Sequence, residues 1–223
     1  QRVSKLEANL AEPHPIEFFK PDTKNYRITP ENLKVKMLED MGIDVLFIAN
    51  FDQQFSQISA QKFIEEILIN KLKAEHIFTG EDFIFGHNRG GNADILAEYS
   101  DRLGYKYQKV RLLKNSEEVK YSSSQIREAI SKGDVAKANQ FLGHSFSILG
   151  NVIKGKQIAG KELDKSTANI NIDQYITPKY GVYACIAEIE GKSFKAICNI
   201  GLRPTFEDTT KPNLEIHLFD FDG

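Results

Sequence analysis

The sequence predicts an α/β protein in two parts, a doubly wound region built on a parallel sheet followed by a small antiparallel β-barrel. Three observations predict it. Residues 45–49 and 76–79 are short runs of apolar or β-branched residues without polar alternation, the pattern of strands covered on both faces. Around them lie segments with helical spacing, Phe63, Ile64, Ile67, Leu68 and Leu72 before the second run and Ile95, Leu96, Tyr99 and Leu103 after it. From Phe146 onward the texture changes to strand-like segments at 146–153, 181–189, 194–200 and 214–221, and Glu190-Gly191-Lys192 supplies a tight turn for a hairpin. A chain of 223 residues accommodates two cores, and the one change of texture puts the domains at 1–145 and 146–223.

The first element is a weak apolar run ending in Glu12-Pro13-His14-Pro15, with Phe18 and Phe19 following. The two prolines fix the backbone around His14, which either aims the imidazole or simply stops a strand. Thr29-Pro30-Glu31 reads as an N-cap, a proline in the first turn and an early carboxylate, and Leu33, Met37, Leu38 and Met41 continue a helix to Gly42. The 45–49 strand ends in Asn50-Phe51-Asp52. Ser59 then opens a helix that delivers the chain to the 76–79 strand, which makes a right-handed parallel unit. After Gly104, residues 105–113 alternate as a further strand. Gly133-Asp134 starts a short helix that closes near Gly143.

The loop Thr79 to Gly91, TGEDFIFGHNRGG, sits where an open α/β sheet places its ligand. Glu81 and Asp82 bring carboxylates to a strand's carboxyl end, Phe83 and Phe85 supply flat apolar surface, and Gly86, Gly90 and Gly91 admit conformations closed to other residues. Two aromatics beside donors and carboxylates suit a planar heteroaromatic ligand that carries phosphate. The same composition also suits a solvated loop anchored by two phenylalanines. Neither a G-x-G-x-x-G turn nor a Walker loop occurs, so phosphate must be held elsewhere. Ser122-Ser123-Ser124-Gln125-Ile126-Arg127 offers a serine-capped helix start, with Arg127 one turn in on the side of Ser123 or Ser124. The alternative is ordinary capping by Ser123 with Arg127 in solvent. Residues 154–169 hold Gly155, Gly160 and four lysines, a phosphate-binding or merely solvated stretch.

A net charge of −2 gives no pull toward nucleic acid. Cys185 and Cys198 lie in apolar strand-like stretches and read as buried reduced thiols. No run of about 18 apolar residues and no apolar stretch in residues 1–15 suggest a membrane or export signal, so a soluble cytoplasmic protein with no membrane partner is expected.

Taken in order, Glu12-Pro13-His14-Pro15, Phe51-Asp52 with Phe55 and Ser59-Ala60, Gly80-Glu81-Asp82-Phe83-Ile84-Phe85-Gly86, Ser122-Ser123-Ser124 with Ile126-Arg127, Gly133-Asp134-Val135, Leu142-Gly143, Thr167-Ala168-Asn169-Ile170, Gly181-Val182-Tyr183, Asn199-Ile200-Gly201 and Arg203-Pro204-Thr205-Phe206 resemble the prokaryotic bifunctional riboflavin kinase/FAD synthetase family. The resemblance implies a Rossmann-like nucleotidylyltransferase domain that adenylylates FMN to FAD with ATP, and a riboflavin kinase-like barrel that phosphorylates riboflavin to FMN with ATP and Mg2+. It implies that Pro13, His14, Pro15, Asp82, Phe83, Phe85 and Gly86 line the flavin and nucleotide pocket of the first domain. Ser123, Ser124 and Arg127 would hold ATP phosphates there, as the catalytic set. In the second domain Gly155, Gly160, Thr167 and Asn169 would bind nucleotide, with Thr167 and Asn169 on magnesium.

The chain departs from the family in three places. The family's G-x-F-D-G-x-H-x-G-H motif would precede Gln1, and its kinase glutamate is expected past Gly223, so both ends read as truncated. Asp164-Lys165-Ser166 stands where the family has Gly-Phe-Pro, which puts a carboxylate beside phosphate and implies a weak kinase half. A flavin- or nucleotide-binding derivative without catalysis is the alternative reading.

Overall fold

Two units divide the chain by their contacts, one made of residues up to Asp22 with Met37–Tyr121, the other of Thr23–Lys36 with Ser122–Gly223. The computed structural model describes residues 6–23, 25–113, 120–153, 167–202 and 212–221.

In the first unit, β1 (Leu6–Glu12) pairs in parallel with β2 (Val45–Asn50), and β3 (His76–Gly80) pairs in parallel with β6 (Lys106–Val110). Between β3 and β6 lie a short hairpin, β4 (Ile84–Phe85) with β5 (Gly91–Asn92), and the helix Ala93–Leu103. That helix is capped by Asn92, whose side-chain Oδ1 accepts from Asp94 and Ile95 N–H, and closed by Gly104 at φ 76°. Its Leu96 packs with Ile64, Leu68, Ile77, Phe85 and Tyr105 into the core, each such side chain contributing about 1.5 to 3 kcal/mol by leaving water. Ile64 and Leu68 come from Phe63–Lys71, a segment of widened π turns in which Leu72 N–H reaches back to the Ile67 carbonyl.

The 76–79 strand is covered on one face only. Ile77 enters the core while its neighbour Phe78 is 60% exposed, because successive side chains alternate across a strand and the helices pack against one side. The helix expected from Thr29 begins one residue later, spanning Glu31–Asp40, with the Pro30 carbonyl accepting its first bond from Lys34.

In the second unit the helices Ser123–Lys132 and Val135–Leu142 form a hairpin. Gly133 turns the chain at φ 81° and Asp134 caps the second helix by accepting from Lys137 N–H. Ile126, Ala129, Ile130, Ala138 and Ile176 make its core. The rest is a five-stranded antiparallel sheet in the order β7 (Val152–Ile153), β8 (Thr167–Asn171), β11 (Pro212–Leu218), β10 (Lys192–Leu202), β9 (Gly181–Ile189). The β9–β10 hairpin closes on Glu190 at φ 50° and Gly191 at φ 77°, a primed two-residue turn whose twist matches the strands. Ala196, Cys198, Ile200, Leu214 and Leu218 are buried on one face, and the alternate residues of β10 stand exposed on the other.

Of the strand expected at 146–153 only Val152–Ile153 forms. Side chains take the backbone groups a ladder would need. Asn139 Oδ1 accepts from Phe146 N–H at 2.7 Å, and the Tyr175 hydroxyl accepts from Leu149 N–H and donates to the Leu149 carbonyl.

Candidate functional site

The glycine loop of the first unit is built from both sides. At its start Glu81 N–H donates to the Val110 carbonyl and its carboxylate accepts from Leu112 N–H, which ties the ends of β3 and β6 together. Asp82 pairs with Lys120 Nζ at 2.5 Å on the surface. Further on, His87 N–H donates to the Ile58 carbonyl at 2.7 Å, and its Nδ1 lies 3.1 Å from the Ser56 carbonyl oxygen. Ala60 backs the loop so closely that a Cβ on Gly86, which sits at φ 74°, would lie 2.7 Å from the Ala60 nitrogen.

This bracing holds Phe83 and Phe85 stacked, with centroids 5.4 Å apart and planes 20° from parallel. The pair ends a continuous run of rings, since Phe85 contacts Phe63, Phe63 contacts Phe55, Phe55 contacts Phe51, and Phe51 contacts Phe18 and Phe19. The contacts of Phe51 with Phe18 and Phe19 and of Phe55 with Phe63 are edge-to-face and the other two are tilted; aromatic pairs contribute about 0.5 to 1.5 kcal/mol each beyond burial and fix ring orientation. The run reaches Pro13-His14-Pro15, where the Glu12-Pro13 bond is cis and His14 caps the helix Pro15–Phe19 by accepting Ile16 N–H at Nδ1, 3.2 Å. His14 is thus committed at that nitrogen to the helix start.

In the second unit the cap of Ser123–Lys132 is Ser122, not Ser123. The Ser122 hydroxyl accepts from Gln125 N–H at 3.3 Å, which leaves Ser123 and Ser124 exposed in the first turn. Nor is Arg127 in solvent. Its ε N–H donates to the Tyr26 carbonyl at 3.0 Å, and the guanidinium carbon sits 3.7 Å over the Tyr26 ring. Burial pushes its pKa down, opposed by Tyr26, yet an arginine stays cationic. Its terminal amino groups have no partner among the described residues.

The exposed face of the sheet carries a polar row. Glu215 on β11 stands directly opposite Asn169 on β8 and Asn199 on β10. One pair of residues along, His217 stands opposite the backbone position of Thr167 and opposite Ile197. Asn213 Nδ2 donates to Asn169 Oδ1 at 2.8 Å. The opposite face holds the two cysteines as free thiols in mutual hydrogen-bond contact. Gly155, Gly160 and Asp164-Lys165-Ser166 lie outside the described residues, as does Arg203-Pro204-Thr205-Phe206.

The sequence reading singles out neither Glu215, Asn213, Tyr26 nor Lys120. For the first two a signal exists, because the alternation Asn213, Leu214, Glu215, Ile216 in a strand places both polar residues on the face opposite the leucine. No signal exists for Tyr26, which meets Arg127 only through the fold.

A parallel α/β unit with a braced aromatic loop, and a second unit with an antiparallel sheet bearing a carboxylate between carboxamides, define a two-part α/β and β protein. Comparison with known proteins makes this specific. The FAD synthetase family profile matches residues 6–125, and the riboflavin kinase profile matches residues 142–223. A bifunctional riboflavin kinase/FMN adenylyltransferase from Buchnera aphidicola subsp. Schizaphis graminum is 38% identical over 215 residues, 96% of this chain and 69% of that protein. The proteins of the same name from Bacillus subtilis and Escherichia coli K12 are 34% and 32% identical, over 94% and 95% of this chain and 66% and 67% of their own. A crystal structure titled a macrolide-efflux protein from Streptococcus pneumoniae superposes with a TM-score of 0.71 at 28% identity, covering 88% of this chain and 62% of that one. The chain belongs to the bifunctional riboflavin kinase/FMN adenylyltransferase family, and with it to the transferases of flavin-nucleotide biosynthesis. It spans about two thirds of the length of these curated relatives.

Proposed function

We propose that the protein, acting in the cytoplasm, uses ATP to phosphorylate riboflavin to FMN and to adenylylate FMN to FAD, with residues 146–223 as the kinase domain and 1–145 as the adenylyltransferase domain. The observation that carries the kinase assignment to particular residues is the lateral row Asn169, Glu215, Asn199 on an exposed sheet face. Glu215, rather than a glutamate past Gly223, acts as general base. It takes the proton of the terminal ribityl hydroxyl as that oxygen bonds to the γ-phosphorus of ATP and the bond to the β-phosphate oxygen breaks. Thr167 and Asn169, two residues apart on β8, would hold Mg2+ through oxygen donors, and the ion would supply charge neutralisation on the phosphates. Gly155 and Gly160 complete the nucleotide site.

In the adenylyltransferase domain a phosphate oxygen of FMN bonds to the α-phosphorus of ATP and pyrophosphate leaves. Phe83, partly buried and backed by the buried ring of Phe85 on which it stacks, offers a face for a flavin or adenine ring, with Asp82 and Pro13-His14-Pro15 at the two ends of the same run of rings. Ser123 and Ser124, exposed at a helix start, and Arg127, whose terminal donors meet no partner among the described residues, hold phosphate and stabilise charge in the transition state.

The test is Glu215→Gln, assayed in parallel for riboflavin to FMN and FMN to FAD. Loss of a general base lowers kinase turnover by about 10² to 10⁴ while adenylylation stays within about twofold of the parent. Undiminished kinase turnover in Glu215→Gln would remove this row from the chemistry.

A further inference from the structure

We infer that Asn213 is a positioning residue of the kinase site that acts through Asn169, an inference that rests on reading the polar sheet face as that site. Its basis is the 2.8 Å hydrogen bond from Asn213 Nδ2 to Asn169 Oδ1, made between two half-buried side chains of neighbouring strands. The register puts Asn213 directly opposite Asn171 rather than Asn169, so the carboxamide reaches along the diagonal. Asn171 is occupied elsewhere, donating to Asp173 Oδ2 and accepting Asp173 N–H. Among the described residues Asn213 therefore serves one partner.

The consequence for Asn169 is directional. The terminal torsion of an asparagine is soft and roughly twofold, so an unsupported carboxamide presents oxygen or nitrogen to a ligand almost interchangeably. The donor on Asn213 removes that freedom. Asn169 Oδ1 is turned toward it with one lone pair used; among the described residues the second meets no donor and can face a hard cation, while the amide N–H₂ on the other side of the carbon meets no acceptor and can face a phosphate oxygen. Asn213 itself needs to touch neither. Supporting shells of this kind hold a ligand's rotamer before the ligand arrives.

The measurement is calorimetric binding of Mg·ADP to the 223-residue chain and to Asn169→Ala, Asn213→Ala, Asn213→Gln and the double alanine variant, each with its thermal midpoint. Asn213→Ala is expected to bind roughly tenfold more weakly, the low end of the loss seen on removing such a support, with a thermal midpoint close to that of the parent. The Gln variant keeps a carboxamide donor and recovers to within about threefold. Since Asn213 works through Asn169, the double variant binds no more weakly than Asn169→Ala alone, a non-additivity that general destabilisation does not produce. Parent-like binding by Asn213→Ala, or losses that multiply in the double variant, overturn the inference and leave the kinase site standing. Failure of the parent chain to bind Mg·ADP, or parent-like binding by Asn169→Ala, overturns the site and the inference together.

Discussion

The guanidinium carbon of Arg127 lies 3.7 Å over the Tyr26 ring, and its ε N–H donates to the carbonyl of the same tyrosine. One residue thus grips both the side chain and the backbone of a segment distant in sequence. An arginine at a helix start ordinarily contributes little to stability, but this one is half-buried with a charge-assisted bond and a stacked ring.

Arg127→Ala is accordingly expected to lose about 1 to 3 kcal/mol of stability, from the charged hydrogen bond and the cation–π contact together. Arg127→Lys recovers little, since an ammonium cannot stack and bond in the same fork geometry. FMN adenylylation falls by about 10² to 10³ in the alanine variant if the open donors hold phosphate. Urea unfolding and an FAD-forming assay separate the two effects. A variant that unfolds early but, while folded, makes FAD at the parental rate restricts Arg127 to architecture.

Gly91→Ala is a test of the aromatic loop. A Cβ at Gly91 would lie 2.6 Å from the Phe85 ring and 2.8 Å from Ala60 Cβ, so Phe85 must move and its stack with Phe83 opens. Overpacking of this kind costs about 1 to 3 kcal/mol. Gly90→Ala meets only the His87 carbonyl at 3.2 Å and is the milder control. Titration of FMN, followed by its fluorescence, is expected to show weaker binding in Gly91→Ala than in Gly90→Ala. Equal affinities would detach the stacked pair from flavin recognition.

Lys120→Ala breaks the pair with Asp82, but both side chains are largely in water, at 43% and 54% exposure. A surface ion pair contributes at most about 1 kcal/mol, and about 0.5 M salt screens most of it. The unfolding midpoint is expected to shift little, and a loss of FAD formation beyond that shift would give Lys120 a role on the substrate.

What was legible in the sequence depended on how local each signal is. The β9–β10 hairpin follows from Glu190-Gly191, because a primed turn is written in two residues. Caps were legible to within a residue, as at Ser122 and Ser123, since three consecutive serines share one preference and only geometry chooses among them. The burial of β3 was not legible, because a run such as His76-Ile77-Phe78-Thr79 reads the same whether one or both faces are covered. The two rings of the loop were legible as Phe83 and Phe85, whereas the ring sequence back to Phe18 joins residues from four separate segments. Glu215 and Asn213 became site candidates only when the register set them beside Asn169.

The last expectation concerns alkaline pH. Burial first, then the neighbouring Cys185, pushes the Cys198 thiol up to about 12. Tyr105, whose hydroxyl donates to the Leu96 carbonyl at 2.6 Å, is likewise pushed up to about 12, by burial and then by Tyr107 and Tyr99. Both groups are neutral in the folded state at neutral pH. As pH rises past about 9 for a thiol and about 10 for a phenol, the unfolded chain releases protons that the folded chain retains. The unfolded state then binds fewer protons, so stability falls with pH, by at most about 1.4 kcal/mol per pH unit for each group, until about pH 12. Cys198→Ala costs packing at every pH but removes the thiol's share of that alkaline loss. The stability gap between parent and variant is therefore expected to narrow as urea midpoints are taken at successive pH values from 8 to 11, and a gap that stays constant would mean that the thiol does not titrate differently in the two states.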